Sequence, residues 1–207
     1  DDFTAAPTET INYVECHDNH TLWDRLVNST KSDSSVSDAD RKAMDKLAAA
    51  VLLTSQGIPF FQSGQEMLRT KHGDDNSYDK PDSVNMIRWN QKLQNKDVVD
   101  YYGGLVSLRK AHPMFHLATA DEVRKSLKFV SNLPNGAIGY SLTDPTGKDS
   151  WGRSTVLFNP SASAIQVQIP AGQWQLFVDG SKAGNSPIAG SAATLSGTSV
   201  KVPPRTA

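Results

Sequence analysis

The feature that most constrains the fold is a long helical segment between two short apolar runs. Residues 10–16, TINYVEC, are rich in β-forming side chains and predict a strand. Between residues 38 and 55 apolar side chains recur at helical spacing, and Gly57 can end that helix. Residues 58–61, IPFF, predict a second strand, which is covered on both faces. Strand, helix and strand in this order form the unit of parallel α/β sheets.

The character of the sequence changes after Pro113. A helix predicted from Asp97 to Ala111 carries one apolar stripe and stops before that proline. Beyond Val123, short β-rich runs alternate with Gly, Pro, Asn and Ser turns, which predicts an antiparallel sandwich. Its predicted strands are 127–130, 137–142, 154–158, 165–169, 174–178 and 199–202. We therefore expect an α/β unit over residues 1–118 and an all-β domain over residues 119–207.

The charge of the chain argues against two classes of partner. Its 21 Lys and Arg and 22 Asp and Glu residues give a formal net charge of −1, with no run of like charges. Such a chain offers no basic face, so we expect neither nucleic acid nor an anionic membrane as a partner. The first residues lack the pattern of a signal peptide, so any export would be directed by sequence outside this chain. The single cysteine, Cys16, excludes an internal disulfide.

A polar cluster, His17-Asp18-Asn19, follows the first predicted strand directly. Parallel α/β folds place reactive side chains at the carboxyl ends of their strands. A carboxylate beside an imidazole at this position can bind hydroxyl groups. The same two side chains could instead satisfy backbone groups of an ordinary loop, so both interpretations stay open on these residues alone.

The second predicted strand ends in a comparable way. Residues 57–66, GIPFFQSGQE, form a buried run that breaks at Gly64 and leaves Gln65 and Glu66 at its end. A carboxylate at the end of a strand can belong to an active site. We favour a structural role for Glu66, even within an enzyme.

A long polar loop from Arg69 to Asn95 contains the third cluster, GDDNSYD at residues 73–79. Loops of this length commonly have a function. Carboxylates, an amide and an aromatic ring together are typical of sugar sites. Dense oxygen ligands could also hold calcium, although the spacing does not complete an EF-hand loop. A solvated loop without a ligand is the third interpretation.

Three motifs together resemble the type I pullulanases of the α-amylase family. They are YVECHDNHTLWD at residues 13–24, the segment 57–66, and GDDNSY at residues 73–78, and their order and spacing match as well. The segment LVSLRKAHP at 105–113 is similar to the last barrel helix of those enzymes. The resemblance covers essentially the whole chain and implies an α/β plus all-β fold. That fold is the end of a (β/α)8 TIM barrel, with strands seven and eight, followed by a carboxy-terminal antiparallel β-sandwich.

The resemblance implies a starch-debranching glycoside hydrolase that cleaves α-1,6-glucosidic links of pullulan and branched α-glucans with retention. Retaining enzymes use two carboxyl groups about 5 Å apart. By the resemblance neither is in this sequence, since they belong to the fourth and fifth barrel strands. Asp18 matches a third carboxylate that holds sugar hydroxyls in the transition state, and His17 matches the histidine beside it. The implied substrate contacts are Tyr13, Asn19, Asp74, Asn76 and Tyr78.

The resemblance also sets expectations for cofactors, partners and location. It implies no organic cofactor, and structural calcium is possible without being indicated. The expected partners are an α-glucan and the upstream portion of the same enzyme, possibly as a separate chain, and the expected location is secreted. The alternative function is a noncatalytic carbohydrate-binding or structural β-sandwich, in which Trp151 and Trp174 stack on sugars. Burial of both rings in the sandwich is the interpretation we favour.

Overall fold

The computed structural model describes residues 4–191 and 193–207, and it begins with a small parallel sheet. Strands β1 (Ile11–Asn12) and β2 (Ile58–Pro59) pair in parallel. Helices α1 (Leu22–Thr30) and α2 (Asp38–Thr54) connect them. The predicted order of strand, helix and strand is confirmed. The first strand is shorter than predicted, because pairing ends where the N–H of Phe60 donates to the carbonyl of Asn12.

Local sequence explains where the helices begin and end. Ser37 caps α2 in a reciprocal capping box with Asp40. Helix α1 was not predicted, and Thr21 caps it by accepting a hydrogen bond from the N–H of Asp24. The long polar segment contains two short helices, α3 (Asp82–Asn85) and α4 (Gln91–Gln94). The predicted second long helix is confirmed as α5 (Lys96–Ala111).

The second half of the chain forms two antiparallel sheets, in agreement with the prediction. Helix α6 (Ala120–Ser126), which was not predicted, leads into the first sheet. That sheet has the order β3-β4-β5, and the second has the order β6-β8-β7. Their strands are β3 (Leu127–Phe129), β4 (Ile138–Thr143), β5 (Arg153–Phe158), β6 (Ile165–Gln168), β7 (Thr194–Ser196) and β8 (Ser199–Val202).

One predicted strand is wrong. Residues 174–178 are not a strand, and Val178 makes only an isolated bridge with Ala183. Local contacts hold this segment instead of a sheet. The indole N–H of Trp174 donates to the carbonyl of Pro170 at 2.8 Å, and the guanidinium of Arg153 lies 4.5 Å from the Trp174 ring centroid.

The core joins the helices to the first antiparallel sheet. Helices α2 and α5 pack together through buried side chains such as Leu53 and Leu105, and the same cluster includes Tyr140 and Leu142 of β4. The hydroxyl of Tyr140 donates to the carbonyl of Thr54 at 2.9 Å. A second, smaller cluster lies against the sheet β6-β8-β7. The proposed division at residue 118 therefore lies between elements that share one core, and it stays a prediction.

Candidate functional site

His17 and Asp18 lie in an exposed loop between β1 and α1. Their side chains are 83% and 71% exposed, and Nδ1 of His17 is 3.4 Å from Oδ1 of Asp18. Asn19 follows with a φ of 60°, a left-handed conformation that asparagine adopts more readily than most residues. The loop thus places an imidazole and a carboxylate side by side, where a ligand rich in hydroxyl groups can reach them.

Buried and partly buried polar groups fix both ends of this loop. The carboxylate of Glu15, itself buried, accepts a hydrogen bond from the N–H of Leu22 and so closes the loop from one side to the other. Near the start of α1, Nε2 of His20 lies 3.0 Å from Nδ2 of Asn28. Hydrogen bonds therefore hold the exposed loop at both ends.

The segment that follows β2 contacts both α1 and this loop. Asp24, in the first turn of α1, accepts hydrogen bonds from the hydroxyl of Thr70 at 2.5 Å and from the N–H of Lys71 at 2.7 Å. The side chain of Lys71 is buried, and its Nζ lies 3.3 Å from the carbonyl oxygen of His17. Glu15, Asp24 and Lys71 were not predicted as site residues. The first two lie within the quoted motif at 13–24, whereas no pattern in the sequence marked Lys71.

Two buried carboxyl groups have strongly raised pKa values. Burial raises the pKa of Glu15 to about 7, although the N–H of Leu22 and the charge of Arg69 act to lower it. Burial also raises the pKa of Asp45, on α2, to about 8. The hydroxyl of Tyr102, 3.1 Å from Oδ1 of Asp45, acts to lower that pKa, while Glu15 raises it. Both carboxyl groups are therefore mostly neutral in mildly acidic solution.

These pKa values predict that, within the complete enzyme, this part of the protein loses stability as the pH rises from about 5 to 8. In this interval the folded state binds more protons than the unfolded state, whose carboxyl groups titrate near 4.5 and 3.8. Asp45→Asn keeps a neutral group of the same shape and should flatten most of this dependence, as measured by urea midpoints at pH 5 and pH 8. The exposed Asp79→Asn is the control and should follow wild type. Parallel curves for Asp45→Asn and wild type contradict the prediction.

The other predicted substrate contacts are accessible but are not joined to His17 and Asp18. Tyr78 is 84% exposed, and Tyr13 packs edge-on against Phe60 with ring centroids 6.1 Å apart. Asp74 accepts a hydrogen bond from the N–H of Asn76 at 2.9 Å, which is a local turn contact. Within residues 4–191 and 193–207, no side-chain hydrogen bond links the segment 74–78 to His17 or Asp18. Their role in binding stays a prediction.

The structure also describes the side chains for which a structural role was favoured. The carboxylate of Glu66 accepts a hydrogen bond from the N–H of Gly64 at 2.9 Å, in agreement with that role. The ring of Trp151 stacks on His112 at 3.5 Å between centroids and also packs against Phe177. Both Trp151 and Trp174 are half-buried. The Trp151 ring thus packs against two aromatic side chains of the protein itself.

The structure also bears on metal binding and on membrane insertion. Among the residues that the structure describes, no group of three or more His, Cys, Asp and Glu side chains is placed to hold a metal ion. Over the same residues, none of the helices combines the length and apolar character needed to cross a bilayer.

Comparison with known proteins finds pullulanases at the level of both sequence and structure. Residues 123–182 match the family model described as "Pullulanase, all-beta domain". The pullulanase of Bacillus subtilis (strain 168) is 38% identical over 164 residues, which are 79% of this chain and 22% of that protein. The pullulanase structure from Bacillus acidopullulyticus superposes with a TM-score of 0.90 at 43% identity, over 99% of this chain and 24% of the other.

A third relative was solved with a sugar. It is the pullulanase from Anoxybacillus sp. LM18-11 complexed with maltotetraose, with a TM-score of 0.84 and 35% identity over 98% of this chain and 28% of the other. The chain thus spans about a quarter of the length of these three relatives. Its fold and sequence match a segment of these pullulanases. The resemblance to pullulanases is confirmed, and residues 123–182 match their all-beta domain.

Proposed function

We propose that this chain is part of a starch-debranching enzyme that hydrolyses α-1,6-glucosidic links in pullulan and branched α-glucans, inside the polymer and with retention. The observation that carries the proposal is the exposed pair His17 and Asp18 after β1, in a chain that matches pullulanases over 99% of its length. An α-glucan as the substrate is supported by relatives solved with maltotetraose and maltotriose.

In this proposal residues 1–118 form the end of a (β/α)8 barrel, and residues 119–207 form the carboxy-terminal β-sandwich. The parallel pairing of β1 with β2 and the helical connection between them support a barrel segment. Ile11, Ile58 and Phe60 are apolar and exposed, as expected for strands whose neighbours belong to other parts of the enzyme. The upstream portion supplies those neighbours.

The roles of the site residues follow from their chemistry. Asp18 accepts hydrogen bonds from two sugar hydroxyls and stabilises the positive charge of the oxocarbenium-like transition state, while His17 binds a neighbouring hydroxyl. The upstream portion brings the nucleophile and the acid/base. Adjacent sugar units contact residues of the flanking loops: Tyr13, Asn19, Asp74, Asn76 and Tyr78. The reaction uses no organic cofactor, and the enzyme acts outside the cell.

A second candidate function is favoured by one observation. The family match over residues 123–182 covers an all-beta domain, which is consistent with a noncatalytic structural role for that half of the chain. The packing of the Trp151 ring on His112 and Phe177 supports scaffolding over sugar binding in this region. In this case the second half stabilises the barrel segment through Tyr140 and Leu142 and takes no part in hydrolysis.

The proposal is tested by expressing residues 1–207 alone and together with the upstream portion of the enzyme. Alone, the chain should be insoluble or melt without cooperativity and should not hydrolyse pullulan, because its parallel strands expose apolar side chains and unpaired backbone groups. With the upstream portion, the complex should melt cooperatively and release reducing ends from pullulan.

Amylose, which has only α-1,4 links, separates strict debranching from mixed specificity in the same assay. A soluble, cooperatively folded and active preparation of residues 1–207 alone would show that the catalytic groups are in this chain, against the proposal. A folded complex without any hydrolysis of pullulan would contradict the proposed activity.

A further inference from the structure

Lys71 is a buried lysine whose ammonium group points at the candidate site. Only 2% of this residue is exposed, although lysine is almost never fully buried without a partner. Removing an ammonium group from water costs free energy unless hydrogen bonds and charges compensate for it. The contacts of Nζ therefore show which interactions compensate for its burial.

The hydrogen bond of this ammonium goes to the backbone of the candidate loop. Nζ lies 3.3 Å from the carbonyl oxygen of His17. Among the residues that the structure describes, no carboxylate oxygen lies within the 4.0 Å of an ion pair with Lys71. The positive charge does reach Glu15, since it acts to lower the pKa of that carboxyl group. The Lys71 ammonium thus donates to the carbonyl of His17, and the carboxyl group of Glu15 lies near enough to be affected by its charge.

The carbonyl that Lys71 contacts belongs to the peptide group between His17 and Asp18. The orientation of this rigid plane sets the direction in which both side chains leave the backbone. Lys71 is fixed in turn, because its own N–H donates to the carboxylate of Asp24 at 2.7 Å. A continuous set of contacts therefore runs from α1 through Lys71 to the peptide that carries the two candidate side chains.

We propose that Lys71 is a positioning residue for this site, because its ammonium holds the carbonyl of His17 and so sets the directions of His17 and Asp18 toward the substrate. This inference rests on the proposed function. Misplacement of a catalytic contact by about 1 Å can lower turnover on the order of 100-fold. The loop is exposed, so it has few other contacts that could restore the geometry.

The test compares Lys71→Met with Lys80→Met in the complete enzyme. Methionine fills the same space without a donor, and water can reach the exposed loop to satisfy the carbonyl of His17. We expect Lys71→Met to lower kcat on pullulan by about 10- to 100-fold with KM changed by less than about threefold. Lys80 is exposed on the same segment, and its variant should keep both constants.

A double mutant separates positioning from a general loss of structure. If Lys71 acts through Asp18, the change Lys71→Met should cost much less in an Asp18→Asn background than in wild type. A merely structural effect would multiply kcat by the same factor in both backgrounds, and that result overturns the proposal. All rates are measured well below the melting temperature of each variant.

If Lys71→Met does not fold, Lys71→Gln is measured instead. Its neutral side chain is shorter than that of lysine and cannot reach the carbonyl oxygen of His17. A folded Lys71→Gln with wild-type kcat overturns the proposal, and a kcat lowered by about 10-fold or more supports it. Failure of the proposed function looks different, because Asp18→Asn would then leave kcat unchanged. Loss of turnover in Asp18→Asn with full turnover in both Lys71 variants rejects this inference alone.

Discussion

Replacing Asp18 by Ala in the complete enzyme is expected to lower kcat on pullulan by several orders of magnitude while the fold survives. The proposed hydrogen bonds from sugar hydroxyls to this carboxylate strengthen in the transition state, so their loss raises the barrier more than it weakens binding of the ground state. The side chain is 71% exposed, and among the described residues its carboxylate lies close to one other polar side chain, that of His17. Its removal therefore leaves the core intact. Steady-state kinetics with a melting curve checks both parts.

Two companion variants sharpen this result. His17→Ala should be milder than Asp18→Ala, because a neutral hydrogen bond to a hydroxyl is weaker than a charge-assisted one. Asp75→Ala, on the exposed polar loop, removes a carboxylate outside the proposed roles and should leave kcat unchanged. Wild-type turnover from a folded Asp18→Ala variant would reject the assignment. A reversed order of the two effects in kcat/KM would count against the separate roles.

The substitution Gly104→Ala in α5 is expected to lower the free energy of unfolding. A Cβ added at Gly104 would meet the carbonyl oxygen of Ala183 at 2.0 Å and its carbonyl carbon at 2.5 Å. Both are backbone atoms, so a side-chain rotation cannot relieve the overlap and the loop must move away from the helix. Overpacking of this kind typically costs about 1–3 kcal/mol. We expect a lower urea midpoint of the complete enzyme, with the local contact of Asn185 to Ser107 weakened as well.

Gly103 is the matched control, one position earlier in the same helix. A Cβ at Gly103 meets no heavy atom within 4 Å, and the residue is exposed. Alanine there should raise stability by about 0.5–1 kcal/mol, since glycine in a helix interior loses more backbone freedom on folding. Equal effects of the two substitutions would mean that helix propensity alone decides them. In that case the close approach of α5 to residue 183 is not maintained in solution.

Several features follow from the sequence because their causes are local. The spacing of apolar residues and the Ser37 cap determine α2, and Pro113 limits α5. The alternation of β-rich runs and turns predicts the antiparallel sheets, and five of those runs contain strands. The motif around His17 and Asp18, together with the segments 57–66 and 73–78, is sufficient to identify the resemblance to pullulanases. Helix α1 was missed although its cap, Thr21, lies within that same motif.

Only the tertiary structure decides what supports the candidate site. Lys71 contacts the backbone of His17 across 54 positions of sequence, and its own N–H contacts Asp24 across 47. The sequence marks His17 and Asp18 because they are adjacent, but it does not show that a lysine far along the chain is buried beneath them. Hydrophobic periodicity and capping act within a few residues, whereas the burial of a charge and its hydrogen bonds depend on which distant segments pack together.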